Sequence, residues 1–533
     1  MSDRSPVSIL TDTMTLEEKV GQRFGVGFHG LEAPTYLLDW LRAGRVGTVI
    51  LFARNVESPA QVARLTASLH AAAKFPLLIG VDQEGGTVAR LRQGFSESPG
   101  AMALSAAGAD GPALAEQVSR VLALEMAAVG INWDFAPSLD ILYNVANPAL
   151  GTRSFGASAD RVAEMGRAAV QGFQSGGVAA CAKHFPGLGS TAIDTHLALP
   201  RLDTSVDQLV MQDMPPFRAA IDAGVATIMT THTIFTALDD RLPATLSAVI
   251  IQQLLRQRLG FERVVISDCM EMKAIADHFS PAETAILGAQ AGLDIILFSH
   301  TRAVQEAAYD GLLDAARQGQ ITDLDAANAR IAALKAAYPV TINADLGTLR
   351  QPDHLAMMIT AARAAVTLID ARDAGQVLPM VSDALLVEFA SLLESGILES
   401  GGSTGLLAAL KIFNPALHSV VFSPMPYAAD QITAAETLLP TVATLIIACR
   451  NAWLNDEQRT IIMHLIARAK QVIIVCLRDP RDAQVIRSDA VFAQFGGAYA
   501  IMATCGDSAP SLQAAAEAIS GQLVTHGVLP IPL

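Results

Sequence analysis

Cysteine is scarce and odd in number. Cys181, Cys269, Cys449, Cys476 and Cys505 are scattered through 533 residues, mostly inside apolar runs, and none forms a CxxC pair. This excludes a disulfide framework and a thiolate metal site, and it fits reduced, buried thiols in a cytoplasm. Basic residues are also in deficit. A formal net charge of -15 argues against nucleic acid as a partner, because phosphates need a basic face. No apolar run approaches the roughly 20 residues that span a bilayer. The opening stretch "MSDRSPVSILTDTMTLEEKVGQ" has no apolar core of a signal peptide. A cytoplasmic protein with no membrane partner is therefore expected. Low-complexity tracts and short repeats are absent as well.

What is present is apolar. Hydrophobic residues make up 51% of the chain and charged residues 17%, which suits large buried cores and not disorder. The length calls for two or more domains. Short apolar runs alternate with Ala- and Leu-rich helical stretches over the first 300 residues. The runs fall at 21–28, 47–52, 76–83, 131–137, 179–185, 226–232, 264–269 and 294–299. Continuous apolar strands alternating with helices imply a parallel sheet covered on both faces. Eight such units match a (β/α)8 TIM-type barrel, with an open doubly wound sheet as the structural alternative. An Ala-rich helix over 323–338 leads into a linker. Six further runs then suggest a smaller α/β domain. The expected division is a barrel over 1–340 and a second domain over 345–533.

Polar residues gather at the carboxyl ends of the barrel runs. Asp82 and Glu84 follow the third, Lys183 and His184 end the fifth, His232 ends the sixth and Asp268 the seventh. Barrel enzymes build their sites at that rim. Each residue also has a plainer reading. Asp268, in "VVISDCMEM", fits a helix N-cap. Asp82 and Arg90, in "VDQEGGTVARLR", fit a turn with a Gly-Gly bend. Arg153, in "GTRSFG", fits a solvated turn, and Lys183-His184 a satisfied strand end. In "KHFPGLGSTAIDTHLALP" (183–200), Asp194 and His196 stand two apart. Such residues meet in an extended or turning segment, not on a helix. The carboxylate would fix the imidazole tautomer and raise its pKa; a hydrogen-bonded turn is the alternative. Gly187 and Gly189 read as hinges around Leu188.

Charged groups bind the hydroxyls of neutral sugars through strong hydrogen bonds. Glycoside cleavage needs a nucleophile or base on one face of the sugar and an acid on the other. Asp268 can attack and His196 can protonate the leaving oxygen.

The stretches "MTLEEKVGQ", "ILFARNVESPAQ", "GVDQEGGTVARLR", "INWDFAPSLDI", "GTRSFG", "KHFPGLGSTAIDTHLALP", "PATLS" and "LGFERVVISDCMEMKAI" occur in order across nearly the whole first domain. In these the chain resembles bacterial β-N-acetylglucosaminidases of glycoside hydrolase family 3, and the later residues resemble the α/β sandwich domain of longer members. The resemblance implies Asp268 as nucleophile and His196 as general acid/base assisted by Asp194. It implies sugar contacts from Asp82, Arg90, Arg153, Lys183 and His184, with no metal and no cofactor. The implied substrate is a small carbohydrate, a terminal N-acetylglucosaminide of peptidoglycan-recycling fragments or chitin oligosaccharides. Two positions depart from the family pattern: Leu188 where Pro-Gly-His-Gly is usual, and Cys269 where Ser-Asp-Asp is usual.

Three other readings compete. A phosphorylase on the same scaffold would use phosphate in place of water. A metal-dependent amidohydrolase would draw on Lys183, His184, His196, His232 and Asp268, but its first strand lacks His-x-His and offers Phe28-His29-Gly30. A non-catalytic sugar-binding protein would have no use for a nucleophile and an acid/base pair together.

Overall fold

The computed structural model describes residues 13–144, 147, 149–191, 199–340, 345–380, 383–390, 405–423 and 425–533. Eight parallel strands close into a barrel: β1 (Phe24–Gly27), β2 (Thr48–Leu51), β3 (Leu78–Val81), β4 (Trp133–Asp134), β5 (Ala179–Phe185), β6 (Thr227–Thr230), β7 (Val264–Cys269) and β8 (Ile295–Phe298). Neighbours in sequence are neighbours in the barrel, and β8 pairs with β1. All eight apolar runs therefore became barrel strands. The barrel expectation holds, and the open doubly wound alternative does not.

The barrel interior is packed. Ile50, Leu78, Trp133, Phe135, Cys181, Met229, Ile266, Ile295 and Leu297 belong to one buried cluster. Trp133 spends its only donor inside, bonding Thr227 Oγ1 at 3.0 Å. Truncating side chains of this kind to Ala costs about 2–5 kcal/mol each. The outer helices carry strong local signals. Helix Pro281–Ala291 starts with Pro281 in its first turn and a reciprocal Ser280–Glu283 capping box, and it stops at Gly292 in the left-handed conformation. The expected helix over 323–338 forms at Leu324–Ala337.

The second sheet has six strands: β9 (Thr367–Arg372), β10 (Ala384–Phe389), β11 (His418–Phe422), β12 (Thr444–Cys449), β13 (Gln471–Cys476) and β14 (Tyr499–Ala503), in the order β9-β14-β13-β12-β10-β11. Five run parallel. β9, at one edge, pairs antiparallel with β14, which sequence periodicity does not reveal.

The chain divides into two compact units, Met1–Glu84 with Arg90–Ser96 and Ser119–Gln351, and Gly85–Ala89 with Glu97–Val118 and Pro352–Leu533. The second unit thus draws two segments from the stretch expected to be barrel alone. Helix Ala101–Ala106 packs against helix Pro352–Ala365, and Val528 N donates to Ala106 O at 2.8 Å. Among the described residues, no helix is long and apolar enough to cross a membrane.

Candidate active site

Asp82 directly follows β3, and Lys183 and His184 lie near the carboxyl end of β5. Lys183 Nζ sits 2.8 Å from Asp82 Oδ1 and 2.6 Å from Glu84 Oε1. Arg153 grips Glu84 with two bonds, Nε to Oε2 at 2.9 Å and Nη2 to Oε1 at 2.7 Å. Arg90 Nη2 lies 3.7 Å from Asp82 Oδ2, an ion pair without a hydrogen bond. The Arg90 backbone is placed by Gln83, whose Oε1 accepts from the amides of Arg90 and Leu91, both at 2.9 Å. Four of the expected sugar contacts thus form one cluster around Glu84, and Arg153 is not a solvated turn residue.

Exposure separates the members. The side chains of Lys183, Glu84 and Arg153 are 2%, 5% and 6% exposed, and that of Asp82 is 21%. Asp82 is the acidic member that reaches solvent. Burial works to raise the pKa of Asp82, but the charges of Lys183 and Arg90 outweigh it and hold the carboxyl below its usual range. Glu84 follows the same logic more strongly, with Arg153 and Lys183 overcoming burial. Burial lowers the pKa of Lys183, and Asp82 and Glu84 together reverse it, so the ammonium stays charged. Asp134 lies beside these groups, and burial raises its carboxyl well above the ordinary value despite a 2.9 Å bond from the Gln83 amide.

His184 faces a different carboxylate. Its Nδ1 lies 2.6 Å from Asp140 Oδ2. Asp268 ends β7, two strands along from β5, and remains partly exposed. Its Oδ1 accepts the Cys269 amide at 2.7 Å. Cys269 itself is buried. His232 is fully buried, with Nδ1 on Thr245 Oγ1 and Nε2 on the Cys269 carbonyl, both at 2.9 Å. It ties the end of β6 to the end of β7, and neither ring nitrogen is left for a metal. Among the described residues, no cluster of His, Cys, Asp or Glu is arranged to hold a metal ion.

Asp194 and His196 lie outside the described residues. The segment leading to them is well fixed. Leu188 is buried, its amide bonds Asp140 Oδ1 at 2.7 Å, and Asn147 Nδ2 bonds its carbonyl at 3.0 Å. A Cβ on Gly189 would fall 1.7 Å from the Ile141 carbonyl oxygen. Gly189 is therefore a site of close approach, not the hinge that the sequence suggested.

Sequence reasoning assigned no role to Asp140, Asp134 or Gln83. The run "INWDFAPSLDI" holds Asp134 at the end of β4 and Asp140 in the polar segment beyond it, which was the available signal.

A parallel barrel with a buried charge cluster at the carboxyl ends of its strands belongs to the (β/α)8 class that carries its sites at that rim. Residues 15–334 match the Glycosyl hydrolase family 3 N terminal domain, and the chain belongs to that family. It is 35% identical over 385 residues to a beta-hexosaminidase A of Pseudoalteromonas piscicida, a match covering 65% of this chain and 64% of that protein's length. A beta-hexosaminidase of Methylobacillus flagellatus is 40% identical over 261 residues, or 48% of this chain and 74% of the relative. Among solved structures, a glycoside hydrolase family 3 beta-N-acetylglucosaminidase from Paenibacillus sp. str. FPU-7 superposes with a TM-score of 0.90 at 34% identity, covering 98% of this chain and 99% of the other.

Proposed function

We propose that the protein is a retaining exo-β-N-acetylglucosaminidase. The observation that carries this reading is the likeness to the Paenibacillus enzyme over almost the full length of both chains. Asp268 attacks the anomeric carbon and forms a glycosyl-enzyme. His196, supported by Asp194, protonates the leaving oxygen and later deprotonates water. Asp82, Arg90, Arg153, Lys183 and His184 hold the sugar, with Asp82 accepting from hydroxyls and Lys183 and His184 beside it. The Glu84–Arg153–Lys183 network keeps that charge pattern fixed before substrate arrives. We assign the chemistry to the domain over 1–340, so that 345–533 supplies no acid or base. Peptidoglycan-recycling fragments or chitin oligosaccharides are the proposed substrates. The buried, unpaired thiols support a cytoplasmic location.

The test is turnover of 4-nitrophenyl N-acetyl-β-glucosaminide and a muropeptide-derived disaccharide, with and without phosphate, following the first-formed anomer by proton NMR. Free β-N-acetylglucosamine is expected in both buffers. A sugar phosphate would make the protein a phosphorylase, and a first-formed α-anomer would refute retention.

A further inference from the structure

Asp140 lies on the segment after β4 and is 1% exposed. Three donors converge on it. Oδ2 accepts from His184 Nδ1 at 2.6 Å and from Ser138 Oγ at 3.1 Å, while Oδ1 accepts from the Leu188 amide at 2.7 Å. His184 and Leu188 stand on either side of Phe185-Pro186-Gly187, where the chain leaves β5. One carboxylate therefore anchors both a residue expected to touch the sugar and the start of the stretch that runs on to Asp194 and His196.

We propose that Asp140 is a positioning residue of the sugar site, holding the His184 ring with Nδ1 as donor so that Nε2 is presented to a substrate hydroxyl. This rests on the glucosaminidase reading of His184. The hydrogen-bond count carries the argument. An ionised carboxylate only accepts, so Nδ1 must donate to it, and the tautomer is set. Burial alone would push Asp140 toward the neutral acid. The hydrogen-bonded His184 ring and the Leu188 amide reverse that and keep its pKa low. Nε2 makes no hydrogen bond among the described residues. It is the ring atom left for a ligand.

The same geometry explains the Leu at position 188. Asp140 reads the backbone amide of Leu188, and Asn147 reads its carbonyl. The neighbouring Gly189 carbonyl accepts the Asn144 amide at 3.1 Å. None of these bonds involves the side chain at 188.

Asp140→Asn is nearly isosteric but offers one acceptor oxygen for three donors. A pure packing role survives it. A positioning role does not, because the amide nitrogen must face either the Leu188 N–H or His184 Nδ1. The experiment is a double-mutant cycle with His184→Ala, read in kcat and KM on 4-nitrophenyl N-acetyl-β-glucosaminide. Asp140→Asn is expected to lower kcat/KM by roughly tenfold, mainly through KM, and by less than about threefold once His184 is already Ala. Equal losses in both backgrounds would overturn the proposal. Should the Asn variant fail to fold, long-range proton–nitrogen NMR on the wild-type protein decides the point, with the His184 signals assigned by their loss in His184→Ala. A protonated Nδ1, and an Nε2 shift on adding N-acetylglucosamine, are expected. An unprotonated Nδ1 would refute the role of Asp140 without touching the functional reading. Wild-type protein that neither binds N-acetylglucosamine nor turns over would instead remove that reading, and the proposal with it.

Discussion

Arg153 and Glu84 form a two-bonded fork, at 2.9 and 2.7 Å, between side chains 69 residues apart in sequence. Both are almost completely buried, and Glu84 also neutralises Lys183. Glu84→Gln keeps the shape and removes the charge, leaving three buried cations, Arg90, Arg153 and Lys183, beside the single carboxylate of Asp82. A loss of about 3–5 kcal/mol is expected in denaturant unfolding, as for other broken buried pairs. Unchanged stability would mean that solvent reaches Arg153. The pairing also carries a pH signature. The pKa of Glu84 is depressed in the folded chain, so its contribution is full above the unfolded value near 4.3 and is lost as pH falls below it.

Asp268→Ala should abolish turnover of N-acetylglucosaminides and leave the far-ultraviolet spectrum and melting temperature nearly unaltered, since this carboxylate is partly exposed and bonds only its neighbour's amide among the described residues. A slow 2-fluoro-type substrate should label Asp268 in peptide mapping. Label on another carboxylate would move the nucleophile elsewhere.

His196→Ala and Asp194→Asn should each lower the rate on unactivated leaving groups by about 10²–10⁴-fold. Both losses should shrink for an activated aryl leaving group, which needs little protonation. Equal losses on both leaving groups, in single turnover limited by glycosylation, would leave the Asp-Thr-His triplet as a structural turn.

Asp213 gives a prediction of opposite sign to Glu84. It is 7% exposed and packs against Gly187, and burial together with the negative charge of Asp140 pushes its carboxyl up to about 7. Between about pH 4 and pH 7 the unfolded chain is ionised here and the folded chain is not, so stability falls as pH rises and the penalty is complete above 7. Asp213→Asn should therefore raise the melting temperature at pH 8, by an amount on the order of a few kcal/mol of stability, and the gain should vanish near pH 4. Parallel melting curves for the two proteins across that range would show that Asp213 is ionised throughout.

The barrel was legible because its strands are continuous runs of Val, Ile, Leu and Ala, such as "GTVILF" and "VVISDC", punctuated by helices. Asp82, Lys183 and Asp268 were legible as rim residues because each sits at the polar end of such a run. The fork between Arg153 and Glu84 was not, since nothing local in "GTRSFG" says whether its arginine meets solvent or a distant carboxylate. Asp140 was hidden for a related reason: its role exists only where three donors from separate positions converge. Gly189 shows a third limit. A glycine in a sequence suggests freedom, yet this one is there because the Ile141 carbonyl leaves no room for a side chain. The antiparallel edge strand β9 is a matter of chain return, which apolar periodicity does not encode.

The two segments that the second unit takes from early in the chain set a timetable for synthesis. Residues 97–118 leave the ribosome long before the unit they belong to exists. Everything from residue 119 to residue 351 must be made before their partners at 352 and beyond appear. At the usual ~5–20 residues per second, that is a delay of about 10–50 s. During it, helix Ala101–Ala106, whose six residues are all buried in the finished protein, lacks helix Pro352–Ala365, against which it packs. A truncation near residue 342 makes that wait permanent.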